Sequence, residues 1–411
     1  MAERLDKHIL KNGMVLLGEP MEQVQSVAFD FMLPGGAARL PEGCCGAGNV
    51  IADWIFRGAG EKDSRELGDA LDGLGLHRST SVGSSHITLA ASLQADKLTE
   101  ALDLYSDIIL KASLEEEQFK PAKQLAIDSV KALDDDPRQK VMLKLREQFY
   151  PGPLGRSSIG EIAELEALTS QKTREIISNT FNPSETIFAV AGKYDFEAII
   201  SILDTRFSNL DTNIKNQATG IEHQASSKYT HLHNDGAQVH IGLMTGTVKP
   251  ADKDYYNARV AVSVLSGGMS ARLFTEVREK RGLCYAIGAR YHGLKEAAGI
   301  MCYAGTTPEK AQETLDCIVS EFEQLDKGIS KEEIERAKVG LKASLIMQNE
   351  STSNRASGIG GDYYLLGRVR SLDEIKNKIE ATSADSVLEF LQRNKFKDFS
   401  IVTIGPKEIQ F

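Results

Sequence analysis

Paired cysteines are what this sequence most clearly lacks. Its 411 residues include five: Cys44, Cys45, Cys284, Cys302 and Cys317. No two stand in a C-x-x-C spacing and the number is odd, which argues against a structural zinc knuckle or a disulfide framework. Reduced thiols in a cytoplasmic compartment are the expectation. An excess of positive charge is also missing. Lys and Arg number 48 against 58 Asp and Glu, for a net charge of −10. That balance argues against non-specific nucleic-acid binding and against attraction to an anionic membrane. No apolar run is long enough for a membrane span. The stretch Met1–Leu17 carries charges up to Lys11 without an apolar core, so no secretory signal is expected. A phosphate loop of the form G-x-x-x-x-G-K-[ST] is absent, as is any local Ser/His/Asp or Cys/His motif.

What is present describes a globular protein of more than one domain. The hydrophobic fraction is 41% and the charged fraction 26%, ordinary for that class, and the length exceeds what one core usually serves. A strand–helix–strand–helix order occurs twice. Ser26–Gly36 and Ala237–Thr247 both alternate as half-buried strands and leave through glycine or a turn. Helices are expected at Gly46–Phe56 and Ala258–Leu265, then strands at His86–Leu93 and Gly299–Thr306. Long amphipathic helices follow, 95–110 and 113–133 in one half, 307–322 and 329–346 in the other. Each half closes on a strand, Ser184–Gly192 and Asp398–Pro406.

The fold class expected is α+β: two homologous domains from an internal duplication, each a mostly antiparallel sheet covered by helices, together forming half of a clamshell. The boundaries expected are an N-terminal domain at 1–210, a linker at 211–229 and a C-terminal domain at 230–411.

The stretch GAGNVIADWIFRGAG, Gly46 to Gly60, carries a polar pair on a helix. Asn49 and Asp53 stand four apart and share one face, beside an apolar stripe of Val50, Ile51, Trp54 and Ile55. Histidines at that spacing would be metal ligands; here the pair is an amide and a carboxylate, with Ala52 between them. His231 and His233 alternate near the linker, and His77 and His86 stand in the first half; none has a third ligand in the pattern. Gly267 and Gly268, in LSGGMSARLF, read as a helix-to-helix turn.

Several strings, NGMVLLGEP, GNVIADWIFRGAG, ALDDDPRQ, GPLGRSSIG and above all SGGMSARLFTEVREKRGLCYAIGA, resemble the pitrilysin/insulinase family of zinc peptidases. The likeness is to the short bacterial members related to mitochondrial processing peptidase, and it spans nearly the whole chain. In active members the first-half helix bears an inverted zinc signature, H-x-x-E-H. Alignment on Phe56-Arg57-Gly58 puts its two histidines at Asn49 and Asp53 and its glutamate at Ala52. The family's third ligand, a glutamate, falls at Asp128 or Ser129. The resemblance therefore implies a degenerate zinc site: zinc wants three good ligands, and with Ala52 no carboxylate is left to take a proton from water. An oxygen set of Asn49, Asp53 and Asp128 would suit only a hard cation such as Mg²⁺ or Ca²⁺.

The same resemblance assigns substrate-binding roles to Arg281 and Tyr285, in the family's R-x-x-x-Y element. If GLCYAIGA is a strand, residues four apart share a face. By spacing alone, a surface ion pair for Arg281 and a core position for Tyr285 account for them as well. The expected function is a non-catalytic, substrate-binding subunit that completes the active site of a zinc-bearing homologous partner. Zinc is expected in that partner and no cofactor in this chain. The substrate would be a peptide or unfolded polypeptide; no nucleic acid and no membrane span are expected. The alternative is a structural or peptide-binding protein, like a respiratory-complex core subunit, with no role in proteolysis.

Overall fold

The computed structural model describes residues 4–208 and 228–411. The linker expected at 211–229 lies outside the described residues, except that Lys228 and Tyr229 open a strand. Two compact units are present, and both are discontinuous in sequence. The first comprises Met1–Ala132, Arg156–Thr219 and Gln348–Val369; the second comprises Leu133–Gly155, Gly220–Met347 and Arg370–Phe411.

The first unit holds strands β1 (Asp6–Ile9), β2 (Val15–Pro20) and β3 (Ser26–Pro34), then a two-rung ribbon of β4 (Gly58–Ala59) and β5 (Lys62–Asp63). It continues with β6 (His77–Val82), β7 (His86–Gln94) and β8 (Ile187–Gly192). The second unit holds β9 (Lys228–His233), β10 (Val239–Gly246), β11 (Cys284–Gly293), β12 (Ala298–Thr306) and β13 (Ser400–Gly405). The first sheet runs β1-β2-β8-β3-β7-β6 and the second runs β11-β12-β10-β13-β9. With β1 set aside, the two orders match strand for strand. Each contains one parallel pair, β2/β8 in the first and β9/β13 in the second, and all other neighbours are antiparallel. Shared order and shared parallel position are the structural signature of the duplication.

Period-two alternation gives each sheet two apolar faces. In the first unit, Leu16, Phe29, Phe31, Leu89 and Phe188 point into a core with Trp54, Tyr105, Leu203 and Phe207. Their neighbours Val15, Leu17, Ile187 and Ala189 point the other way and meet Ile359. That second cover is the helix Thr352–Leu366, which comes from the second half of the sequence. It also carries the first unit's buried polar contacts. Arg355 pairs with Glu19, both nearly inaccessible, and Ser357 Oγ donates to Asp30 Oδ2 at 2.5 Å.

The second unit is built alike. Val239, Ile241, Leu243, Ile300 and Ile401 pack on one side with Leu315, Ile318, Phe322 and Phe390. The helix Pro137–Phe149, from the first half of the sequence, lies across β10 and β13, with Val141 and Leu145 against Gly242. Its start is written in ALDDDPRQ: Pro137 takes the first helical position and Asp136 caps it, accepting from Gln139 N at 2.9 Å. The compact units thus differ from the sequence halves by these two helices, because a helix has gone to the sheet with an apolar face to cover.

Candidate functional site

The first unit contains an open cavity of about 680 Å³ beside the helix Ala47–Trp54. Asn49, Ala52, Asp53 and Ser129 line it. Asp128 does not; it lies exposed and accepts from Gln124 Nε2 at 2.8 Å. On the helix Glu116–Lys131, the lining positions Ala122, Leu125, Ala126 and Ser129 follow the i, i+3, i+4, i+7 rhythm of one face. Of the two candidates for the third ligand position, the fold brings Ser129 to the cavity.

The polar groups at the zinc-ligand positions are already engaged. Asn49 Nδ2 donates to the carbonyls of Ser158 at 2.6 Å and Ile159 at 3.3 Å. Asp53 Oδ2 accepts from Arg57 Nε at 2.5 Å, and Ser129 Oγ donates to the carbonyl of Leu125 at 2.9 Å. The loop that Asn49 holds is pressed onto the helix start by two glycines. Gly46 and Gly160 have φ of 88° and 103°, and a Cβ on Gly160 would stand 2.5 Å from Gly46 Cα.

The second unit contains a cavity of about 860 Å³ lined by Tyr285, Arg138, Arg278, Arg290 and Tyr303. Tyr285 is 46% exposed and donates its hydroxyl hydrogen bond to Gln238 Oε1. Tyr303 shares a hydrogen bond of 2.8 Å with His240 Nδ1. Burial pushes the Tyr303 phenol up and the His240 imidazole down from their ordinary values.

Arg281 is elsewhere. Its Nη1 donates to Glu276, to the carbonyl at 2.7 Å and to Oε2 at 3.1 Å, in a separate cavity of about 520 Å³ that includes Cys317 and Glu321. The expectation that Arg281 and Tyr285 share a face is therefore corrected. Strand β11 begins only at Cys284, Gly282 turns the chain with φ of 57°, and a bulge interrupts the pairing at Tyr285. Period-two logic does not reach across such a turn. Arg278 is the arginine that sequence reasoning passed over. It leaves the π-helix Phe274–Lys280 on the side of Tyr285, and its guanidinium lies 4.8 Å from the centre of the Phe274 ring.

The remaining candidates have structural partners. His231 Nδ1 lies 2.9 Å from Thr403 Oγ1, and His233 Nε2 2.9 Å from Asp235. His86 is buried edge-on against Tyr364, while His77 opens the exposed edge strand β6. Gly267 and Gly268 follow directly on the helix Tyr255–Ser266, before the π-helix.

Residues 21–161 match the family model described as Insulinase (Peptidase family M16), and residues 167–341 match the one described as Peptidase M16 inactive domain. The chain belongs to the pitrilysin/insulinase family of peptidases. An uncharacterized zinc protease of Rickettsia felis is 24% identical over 415 residues, covering 100% of both proteins. Among solved structures, a peptidase M16 inactive domain from Pseudomonas fluorescens superposes with a TM-score of 0.91 at 17% identity, covering 99% of each chain. A chain of complex III2 from Candida albicans, with Inz-5 bound, gives 0.87 at 18% identity, covering 98% of this chain and 96% of that one. At such identities the structural likeness concerns the fold.

Family membership raises the question of zinc, and the donors do not fit it. Asn49 turns amide hydrogens, not lone pairs, to its neighbours. The Asp53 carboxylate is neutralised by a guanidinium, and Ala52 has no donor. Among the described residues no three of His, Cys, Asp or Glu gather in a metal-holding group, and no helix is long and apolar enough to cross a membrane.

Proposed function

We propose that this pitrilysin/insulinase-family chain is a non-catalytic, peptide-binding subunit that completes the active site of a zinc-bearing homologous partner. One observation carries this: the first-unit cavity keeps its helix with donors unsuited to zinc, while the second-unit cavity presents unpaired guanidiniums beside an exposed tyrosine, groups of the kind that hold a peptide. The partner supplies zinc, its ligands and a base. This chain supplies hydrogen-bond donors to a peptide carbonyl, Tyr285 through its phenol and Arg278 through its guanidinium. Arg278 here takes the part expected of Arg281, because it shares a cavity with Tyr285. In the first unit, the exposed edge strand β6, whose Arg78, Ser79 and Thr80 line that unit's cavity, offers a sheet edge to which an extended peptide adds as a strand.

Purification from the native host, with mass spectrometry of whatever accompanies the chain, tests this directly. The expected companion is a homologue bearing H-x-x-E-H, and the pair should hydrolyse peptides that neither chain cleaves alone. Equal turnover by the companion with and without this chain would favour the second reading, a structural or peptide-binding protein outside proteolysis.

A further inference from the structure

Three arginines of the second-unit cavity stand out by their lack of counter-charge. Arg138, Arg278 and Arg290 all line it. Among the described residues none supplies any of the three with a carboxylate or a side-chain hydrogen bond. Arginines of the other two large cavities are paired: Arg57 with Asp53, Arg78 with Asp72, Arg272 with Glu333 and Arg281 with Glu276. The one carboxylate in the basic cavity, Asp136, is occupied as a helix cap.

Two of the three guanidiniums are set on aromatic rings, Arg138 at 4.9 Å from the Tyr303 centroid and Arg278 at 4.8 Å from that of Phe274. A guanidinium lying on a ring keeps its planar N–H edge free, the edge that grips a carboxylate in two places. The surroundings are positive as well. Arg146, two turns along the helix from Arg138, has a buried Nε without a hydrogen-bond partner. Burial, with the charge of Arg290 as a lesser cause, holds its guanidinium below its ordinary value. This concentration occurs in a chain whose net charge is −10. A concave wall of one sign focuses its field on what enters.

We infer that this cavity selects acidic peptide segments, binding Asp or Glu side-chain carboxylates through Arg138, Arg278 and Arg290. The inference rests on the peptide-binding function proposed above and names its substrate class.

Fluorescence anisotropy on the full chain decides it, with three labelled peptides of one length and one aromatic content. One carries glutamates at alternate positions, one lysines and one glutamines. The glutamate peptide is expected to bind about tenfold more tightly than the glutamine peptide, as one charge-assisted bidentate contact provides, with the lysine peptide weakest. The double variant R138Q/R290Q should lose most of that preference and keep its affinity for the glutamine peptide. The double variant R138K/R290K, which keeps charge without the planar fork, should retain part of it. Equal affinity for all three peptides, or a preference unchanged in the glutamine variant, overturns the inference and leaves peptide binding standing. No binding of any peptide overturns both. Matching circular dichroism and melting midpoints secure the comparison, and the single variants R138Q and R290Q serve if the double variant does not fold.

Discussion

Arg57 Nε donates to Asp53 Oδ2 at 2.5 Å, so the only carboxylate left among the cavity-lining zinc positions is already paired with a cation. Rebuilding the site therefore needs more than one change. The quadruple variant N49H/A52E/D53H/S129E is expected to retain zinc after dialysis at near one equivalent, measured by elemental analysis. The version carrying D128E in place of S129E should retain much less, because Asp128 lies outside the cavity. Equal zinc in the two would show that the helix 116–131 presents both positions.

Asn49 has become a tether. N49A removes its bonds to the carbonyls of Ser158 and Ile159, and should lower stability by about 1–2 kcal/mol. Urea unfolding reads this; an unchanged midpoint would mean that water replaces the amide at no cost.

The Gly46–Gly160 approach is steric. G160A places a methyl 2.5 Å from Gly46 Cα, at a φ of 103° that alanine resists. A loss of about 2 kcal/mol or more is expected, with faster amide exchange in 157–160 as its local mark. Wild-type exchange there would place the strain elsewhere.

Asp30 gives the first unit a pH dependence. Burial raises its carboxyl from 3.8 to about 6, against the opposing hydrogen bond from Ser357. Between those values the folded chain holds a proton that the unfolded chain has released. Stability is therefore highest at the acid end of the window and falls as pH rises through about 6. D30N should stabilise the chain by about 3 kcal/mol above that window and make little difference below about pH 3, where Asp30 is protonated in the folded and the unfolded chain alike. A gain of equal size at both ends would remove Asp30 titration as the cause.

For the proposed heterodimer, Y285F and R278A should each lower turnover about tenfold or more, while R281A should leave it within about twofold because its partner is Glu276. Steady-state assays of reconstituted pairs separate these. Loss of turnover in R281A with none in R278A would reverse the assignment.

Much of this was legible in the sequence. Strands β3, β7, β10 and β12 announce themselves by alternation and β8 and β13 by short apolar runs, since burial on one or both faces dictates those patterns. The cap at Asp136 and Pro137 is equally plain. Ser129 over Asp128 was readable too, from the apolar phase Ala122, Leu125, Ala126, although the alignment alone left both open. Arg278 and Arg281 were not separable, because both sit in one charged run and only the π-helix and the turn at Gly282 send them to different cavities. The two displaced helices left no local trace either. Their apolar stripes fit any sheet face, and which face each covers is a long-range matter.

Those helices make synthesis order matter. The first unit needs Thr352–Leu366 to close over the apolar side of its sheet, so it cannot be finished until residue 366 of 411 has left the ribosome. Until then Val15, Leu17, Ile187 and Ala189 wait uncovered, a stretch of time in which a chaperone has something to hold. Severing the gene between the halves would yield two polypeptides, each carrying the other's missing lid, that fold only when made together.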